Sequence, residues 1–268
     1  MTAQTRSEIA ELLQRHGLAP IQHLGQHFLA DANITRKIVA VAGVGPESRV
    51  VEIGAGTGTL TRALAAAGAT VVAYEIDRGL RSVLSEVIEG FDVDLRFEDV
   101  TDVDFVSALE GGGWLMVANL PYNVGTPVVL DAMQHAPNID RFVVMVQREV
   151  AERFAATVSD DLYGLPSVIA GIYTDARVAF TVPPQVFYPP PRVESAVVVM
   201  QRKSAPSEAP RAVELARAGF GQRRKMLRRS LSAVLEEPIA SLEAAGISPT
   251  SRAENLSAED WLRLGASA

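Results

Sequence analysis

The chain has 268 residues, 48% of them hydrophobic, with mean hydropathy +0.14, so it can bury a full-sized core and carry a smaller second domain. It has no cysteine, which excludes a disulfide framework, a thiolate metal site and a cysteine nucleophile and fits a reducing cytosol. A net charge of −7 argues at first sight against nucleic acid, but the residues between Thr181 and Ser232 sum to +7, and such a local surface outweighs the total within a screening length of about 8 Å.

The first fifteen residues contain Arg6, Glu8, Glu11 and Arg15 and no apolar core, so no secretory signal is expected. The longest apolar runs, Ala63–Ala69 and Val193–Met200, fall far short of the roughly 20 residues that span a bilayer, so no membrane partner is expected. From Arg49 onward, strand and helix signals alternate. Strands are predicted at Arg49–Ile53, Thr70–Glu75, Val93–Glu98, Trp114–Asn119 and Arg141–Gln147, with helices at Leu60–Ala67 and Gly79–Ile88 and Gly68 closing the first helix. Strands separated by helix-length segments pair in parallel through right-handed crossovers, giving an α/β fold with a doubly wound, Rossmann-like sheet. Val193–Met200 is read as its antiparallel edge. Ser204–Pro210 has linker composition, and Arg211–Gly219, Lys225–Leu235, Ile239–Ala245 and Ala258–Leu264 read as helices. The expected division is a catalytic domain over residues 1–203, with an N-terminal arm over 1–30, and a small all-helical domain over 204–268.

Two loops carry the chemistry. Val51-Glu-Ile-Gly-Ala-Gly-Thr-Gly-Thr-Leu60 places Gly54, Gly56 and Gly58 directly after the first strand, where open α/β sheets bind their ligands. The spacing differs from the G-x-G-x-x-G of dinucleotide enzymes, and Glu52 suits a cationic amino-acid group better than a pyrophosphate. A tight structural turn or another kind of nucleotide site is the alternative. Glu75, at the end of the second strand, is placed to accept ribose hydroxyls, and Asp99, after the third, an adenine amino group.

Asn119-Leu-Pro-Tyr122 closes the fourth strand. An adenine N6 is a poor nucleophile because its lone pair is delocalised into the ring. The Asn119 side-chain carbonyl and the Leu120 backbone carbonyl can accept hydrogen bonds from N6 and stabilise the positive charge that develops on it. Pro121 fixes the backbone, and Tyr122 offers a stacking face worth roughly 1–3 kcal/mol per base. No metal and no nucleophilic residue is required. Together the loops fit methyl transfer to an amino nitrogen.

These loops, with Leu24-Gly-Gln-His-Phe-Leu29 before them and Val182-Pro-Pro-Gln-Val-Phe187-Tyr-Pro-Pro-Pro191 after them, resemble the KsgA family of small-subunit rRNA adenine dimethyltransferases. So do Gln147-Arg-Glu-Val-Ala-Glu-Arg153, Phe220-Gly-Gln-Arg-Arg-Lys225 and Arg252-Ala-Glu-Asn-Leu256, so the resemblance runs from about Leu24 to Leu256. It implies S-adenosyl-L-methionine as cofactor, with His27 and Leu29 at its entrance, Gly54 at its amino-acid end, Glu75 at the ribose, Asp99 at the adenine and Asn119 on the methyl-acceptor side. Phe187 would stack on the target base opposite Tyr122. The implied reaction is dimethylation of two adjacent adenines in the 3′-terminal hairpin loop of 16S rRNA within an immature 30S subunit, by a cytoplasmic protein that is monomeric in solution. Arg223, Arg224, Lys225 and Arg228 are expected to contact RNA phosphates, with Arg148 and Arg153 as further candidates; a solvated helix face is the alternative.

Two departures stand out. Ala19-Pro-Ile-Gln-His23 lacks the basic residues that family members often carry there, and His27 stands where many have asparagine, a change expected to have little consequence because both donate hydrogen bonds. The competing readings are a large-subunit adenine methylase of the macrolide-resistance type, an assembly checkpoint factor whose binding outweighs its catalysis, and a small-molecule methyltransferase.

Overall fold

The computed structural model describes residues 4–122 and 124–268. They divide into two compact units, one of residues 1–151 with 177–201 and the other of 152–176 with 202–268. The second unit thus recruits a stretch that lies upstream of the linear boundary expected at 203/204. Two hydrogen bonds tie that stretch to the later residues: the buried Tyr163 hydroxyl donates to the Leu256 carbonyl at 2.6 Å, and Lys203 N donates to Tyr173 O at 3.0 Å.

The first unit opens with helix α1 (Arg6–Arg15), started by a capping box between Thr5 and Glu8. Strand β1 (Phe28–Leu29) follows, then α2 (Ala32–Ala42), capped by Asp31 and closed by Gly43 in the left-handed region. The alternating core comprises β2 (Arg49–Ile53), α3 (Thr59–Ala66), β3 (Thr70–Tyr74), α4 (Arg81–Val87), β4 (Val93–Arg96), α5 (Phe105–Ala108), β5 (Trp114–Asn119), α6 (Gly125–His135) and β6 (Ile139–Gln147). After α7 (Arg148–Ala155) and α8 (Leu165–Tyr173) come β7 (Thr174–Val182), β8 (Phe187–Tyr188) and β9 (Ser195–Arg202). Strands β2 to β5 pair in parallel, β6 joins β5 in parallel, and β9 runs antiparallel to β6. The seven-stranded order is β4-β3-β2-β5-β6-β9-β7, while β1 pairs separately with β8.

The segment at Val193–Met200 is therefore not the sheet edge. It forms an inner strand, and β7, which the sequence reading did not find, takes the edge. The physical reason is in the pattern: Ser195–Met200 is buried at every position, as an uninterrupted apolar strand with neighbours on both sides must be, whereas β7 mixes buried and exposed positions. The core of this unit gathers Ile9, Leu13, Ile38, Leu64, Leu84, Val143 and Val197, all at most 2% exposed.

The second unit contains α8 and then α9 (Ala209–Gly221), α10 (Leu227–Ser230), α11 (Pro238–Ala244) and α12 (Ala258–Ala266). Trp261 is fully buried beside Gly219, where an added Cβ would stand 2.7 Å from the indole. The long helix expected over Lys225–Leu235 is not formed. The chain turns at Gln222–Lys225, and α10 spans four residues. Leu227 N and Arg228 N donate to Ser251 O and Pro249 O instead of to carbonyls four residues back, so the ladder that would carry a helix through Lys225 is diverted. Among the described residues no helix is long and apolar enough to cross a membrane.

Candidate active site

The glycine loop leaves β2 with Gly54, Gly56 and Gly58 at φ +76°, +57° and +79°, a region that side-chain-bearing residues rarely enter. Space forbids side chains as well. A Cβ on Gly54 would lie 3.3 Å from the Pro121 ring, and one on Gly56 would lie 3.0 Å from Phe28. The loop is pinned by the buried carboxylate of Glu75, whose Oε2 accepts from Gly56 N at 2.8 Å while Oε1 accepts from Asp77 N at 2.9 Å. Desolvation raises the Glu75 pKa, and these backbone bonds oppose it. Asp77 in turn accepts from Gln26 Nε2 at 2.8 Å, tying the Leu24–Leu29 segment to the same end.

Glu52, on β2, is 1% exposed, and its Oε2 has no hydrogen-bond partner among the described residues. Burial pushes its pKa up to about 8, so the group is largely protonated at neutral pH. Asp99 is exposed by comparison; its Oδ1 takes both the backbone and hydroxyl donors of Thr101, which lower its pKa.

At the other end, Asn119 Nδ2 donates to the His27 carbonyl at 3.0 Å. Since the amide nitrogen is committed there, the orientation of the carboxamide is set and its oxygen is the group left for a ligand. Leu120 N donates to Met145 O at 3.0 Å, and Pro121 O accepts from Gly125 N at 2.9 Å as α6 begins. The Tyr122 hydroxyl lies 2.7 Å from Ser195 Oγ, and its ring centroid is 5.5 Å from that of His27 at a tilt of 32°. His27 Nδ1 stands 2.8 Å from the Pro189 carbonyl.

His27, Leu29, Glu52, Gly54, Gly56, Glu75, Asp99, Asn119, Leu120, Pro121 and Tyr122 all line one cavity of about 1060 Å³ including its mouth. Gly58 lies behind it, against Val87. Phe187 does not line it. It is fully buried on β8, opposite Leu29 of β1, and presents no ring face to a base. The sequence reading also missed residues that the cavity contains or depends on. Ile76 is half exposed and lines it. Thr57 and Thr59 also line it and donate hydroxyl hydrogens to the buried side-chain oxygen of Gln4 at 2.9 and 2.7 Å. No motif in the arm signals Gln4, because it acts across more than fifty residues.

The basic candidates fall into two groups. Arg223 is paired with Glu254 at 3.0 Å, which joins the Phe220–Lys225 and Arg252–Leu256 segments, and Arg148 is paired with Glu194 at 2.9 Å. Arg153 is half-buried, and its carbonyl accepts from the Ser167 hydroxyl at 2.6 Å. Arg224, Lys225 and Arg228 are exposed, with no ion pair among the described residues.

A mostly parallel sheet with a glycine loop after its first core strand and an Asn-Leu-Pro-Tyr loop in the same cavity defines a Rossmann-like methyltransferase. Residues 21–267 match the family model for ribosomal RNA adenine dimethylase, and the chain belongs to that family. It is 41% identical to ribosomal RNA small subunit methyltransferase A of Phenylobacterium zucineum (strain HLK1), over 98% of this chain and 93% of the relative. It is 42% identical to the protein of that name in Brucella melitensis biotype 1, over 98% of each. Among solved structures, a dimethyladenosine transferase from Plasmodium falciparum superposes with TM-score 0.74 at 25% identity, covering 89% of this chain and 96% of that one. The 23S rRNA methyltransferase ErmE gives 0.68 at 25% identity, covering 90% and 98%. The protein is thus an rRNA adenine dimethyltransferase by family, with the Rossmann-like sheet its sequence predicted.

Proposed function

We propose that the enzyme transfers methyl groups from S-adenosyl-L-methionine to N6 of two adjacent adenines in the 3′-terminal hairpin loop of 16S rRNA, within an immature 30S subunit. The observation that carries this reading is the locked carboxamide of Asn119, whose free oxygen shares a cavity with the glycine loop and Glu75. The residues present fit the cofactor: Glu75 can accept ribose hydroxyls, Asp99 can accept from the adenine, and an ammonium group beside the unpartnered Oε2 of Glu52 would favour the ionised form that burial disfavours. When bound, the cofactor supplies an electrophilic methyl group on a sulfonium. Asn119 and the Leu120 carbonyl then hold the acceptor N6 in line, an orientation effect worth up to about 7–11 kcal/mol in favourable systems. Tyr122 stacks on the base; Phe187 could do so only after leaving its buried position.

The C-terminal helical domain binds RNA in this reading, chiefly through Arg224, Lys225 and Arg228, with Arg223, Arg148 and Arg153 serving more through their protein contacts. Unpaired hairpin adenines suit the site, because extruding a base costs less where stacking is already broken. The protein would act in the cytoplasm as a monomer.

Mass spectrometry of small-subunit rRNA from a strain lacking the gene tests the proposal. Loss of dimethyladenosine from the hairpin is expected; unchanged dimethyladenosine rejects it. The likeness to ErmE favours a large-subunit substrate as second reading, but the relatives at 41–42% identity carry small-subunit names. Macrolide resistance conferred by overexpression would reverse that order.

A further inference from the structure

Residues 4–20 lie ahead of the stretch that matches the family model, yet they reach the cofactor loop. The capping box of Thr5 and Glu8 starts α1, with Thr5 N donating to Glu8 Oε2 at 2.6 Å, and Ile9, Leu12 and Leu13 are buried in the core of the first unit. At the far end of the helix, Arg15 pairs with Glu86 of α4 at 2.7 Å. Gln4, directly before the cap, is thereby fixed against the glycine loop.

The Gln4 side chain is buried, and its Oε1 accepts from the Thr57 and Thr59 hydroxyls at 2.9 and 2.7 Å. Both threonines line the cavity and flank Gly58, the turn into α3, a helix with no side-chain cap of its own. We infer that Gln4 is a positioning residue for the cofactor: by taking both hydroxyl hydrogens, it holds the turn from Gly56 into α3 in the shape that binds S-adenosyl-L-methionine. The inference rests on the cofactor proposed above.

Each hydroxyl has one hydrogen, and neither has another partner among the described residues. A buried hydroxyl without an acceptor is unfavourable, and a threonine that turned to the cavity for one would bind water that the ligand must displace. The Gln4 oxygen also lies between two helix starts, since Gln4 precedes the cap of α1 and Thr59 opens α3, and the unpaired N–H groups there favour a negative oxygen. Glu75 holds the same loop one residue earlier, through Gly56 N. Two acceptors, one at the end of β3 and one in the arm, are thus in place before a ligand arrives, which lowers the ordering cost of binding. Asn119 and Leu120 make none of these contacts, so the effect of Gln4 falls on binding and not on transfer.

Equilibrium titration with S-adenosyl-L-methionine beside steady-state kinetics gives the first test. Gln4→Leu, of similar size but with no acceptor, should weaken cofactor affinity and raise the cofactor KM roughly tenfold, with little change in kcat at saturation. Gln4→Glu keeps an acceptor between the two helix starts and should restore the affinity. An unchanged dissociation constant in Gln4→Leu overturns the inference, even where the amplitude of binding falls, as a merely structural role would give; so does a Gln4→Glu protein as weak as Gln4→Leu. The second test needs no variant. Coupling between two sites is reciprocal, so an arm that favours the ligand must itself be held by the ligand. In wild-type enzyme, saturating S-adenosylhomocysteine should slow hydrogen exchange at the α1 amides by the same factor, roughly tenfold, and unchanged exchange overturns the assignment. Wild-type enzyme that binds neither S-adenosyl compound rejects the functional reading itself, and the inference with it.

Discussion

The two ends of the cavity are built by different means. At the cofactor end, Glu75 reaches Gly56 across 19 residues and Asp77 across two, and in both bonds a backbone N–H donates to the carboxylate. At the acceptor end, Asn119 meets His27 across 92 residues, Tyr122 meets Ser195 across 73, and His27 meets Pro189 across 162. At the first end, the glycine loop and its carboxylate belong to one strand–loop–helix unit and its neighbour, onto which Gln26 and Gln4 are tied from the N-terminal segment. The second exists only when the N-terminal segment, the end of β5 and the proline-rich segment have all come together. Local sequence therefore shapes the loop where the cofactor would sit, with long-range ties added to it, whereas the place of the acceptor comes wholly from tertiary assembly.

If the division is real, substitutions at the two ends should separate transfer from cofactor binding. Asn119→Ala should give the largest effect, a loss of about 10²–10³-fold in kcat as for a deleted oxyanion donor, with cofactor and particle binding largely intact. Single-turnover kinetics beside equilibrium titration measures this, and joint loss of all three activities would erase the distinction. Glu75→Ala should act the other way. Removing the acceptor of two backbone donors should weaken cofactor affinity by roughly 10–100-fold, seen by calorimetry, with a smaller effect on saturated turnover.

A smaller effect is expected from Arg224→Ala and Lys225→Ala, each lowering the slope of log RNA affinity against log salt by about one phosphate contact, whereas Arg223→Ala, already paired with Glu254, should change it less. Glu52 sharpens the picture through pH. Its folded pKa of about 8 lies above the ordinary 4.5, so between those values the folded protein holds a proton that the unfolded chain has released. Stability should fall as pH rises through that window, by an amount on the order of a few kcal/mol. Glu52→Gln should flatten the decline, leaving a residual slope of the same sign from Glu75; urea midpoints at mildly acid and mildly alkaline pH would read it. The smallest effect belongs to Ser195→Ala, about 1 kcal/mol in transition-state stabilisation, and it should be absent in a Tyr122→Phe background if the hydroxyl pair acts as a unit.

The same contrast explains what the sequence made legible. The strands at Arg49–Ile53 and Trp114–Asn119 were readable to the residue, since each is a short apolar run ending in a loop with a distinct composition. The turn at Gln222–Lys225 was not, because the arginine and lysine side chains suit a helix and the carbonyls that divert the backbone belong to residues 249 and 251. The place of β9 was misread for a related reason: the apolar run shows that a strand is buried, but its neighbours depend on β7, whose mixed pattern hides it. Phe187 was named through its motif, and nothing in that motif reports that pairing with β1 closes the ring inside the core.

Gln4 bears on how the protein can be handled. Its side-chain oxygen is shared by two threonine hydroxyls at the entry to α3, so the amino-terminal arm is stitched to the loop that would cradle the cofactor. Trimming through this residue would leave both hydroxyls without their acceptor, and a bulky amino-terminal fusion would pull on the same stitch. An affinity tag for purification or surface immobilisation therefore belongs after α12, where the last three residues are exposed.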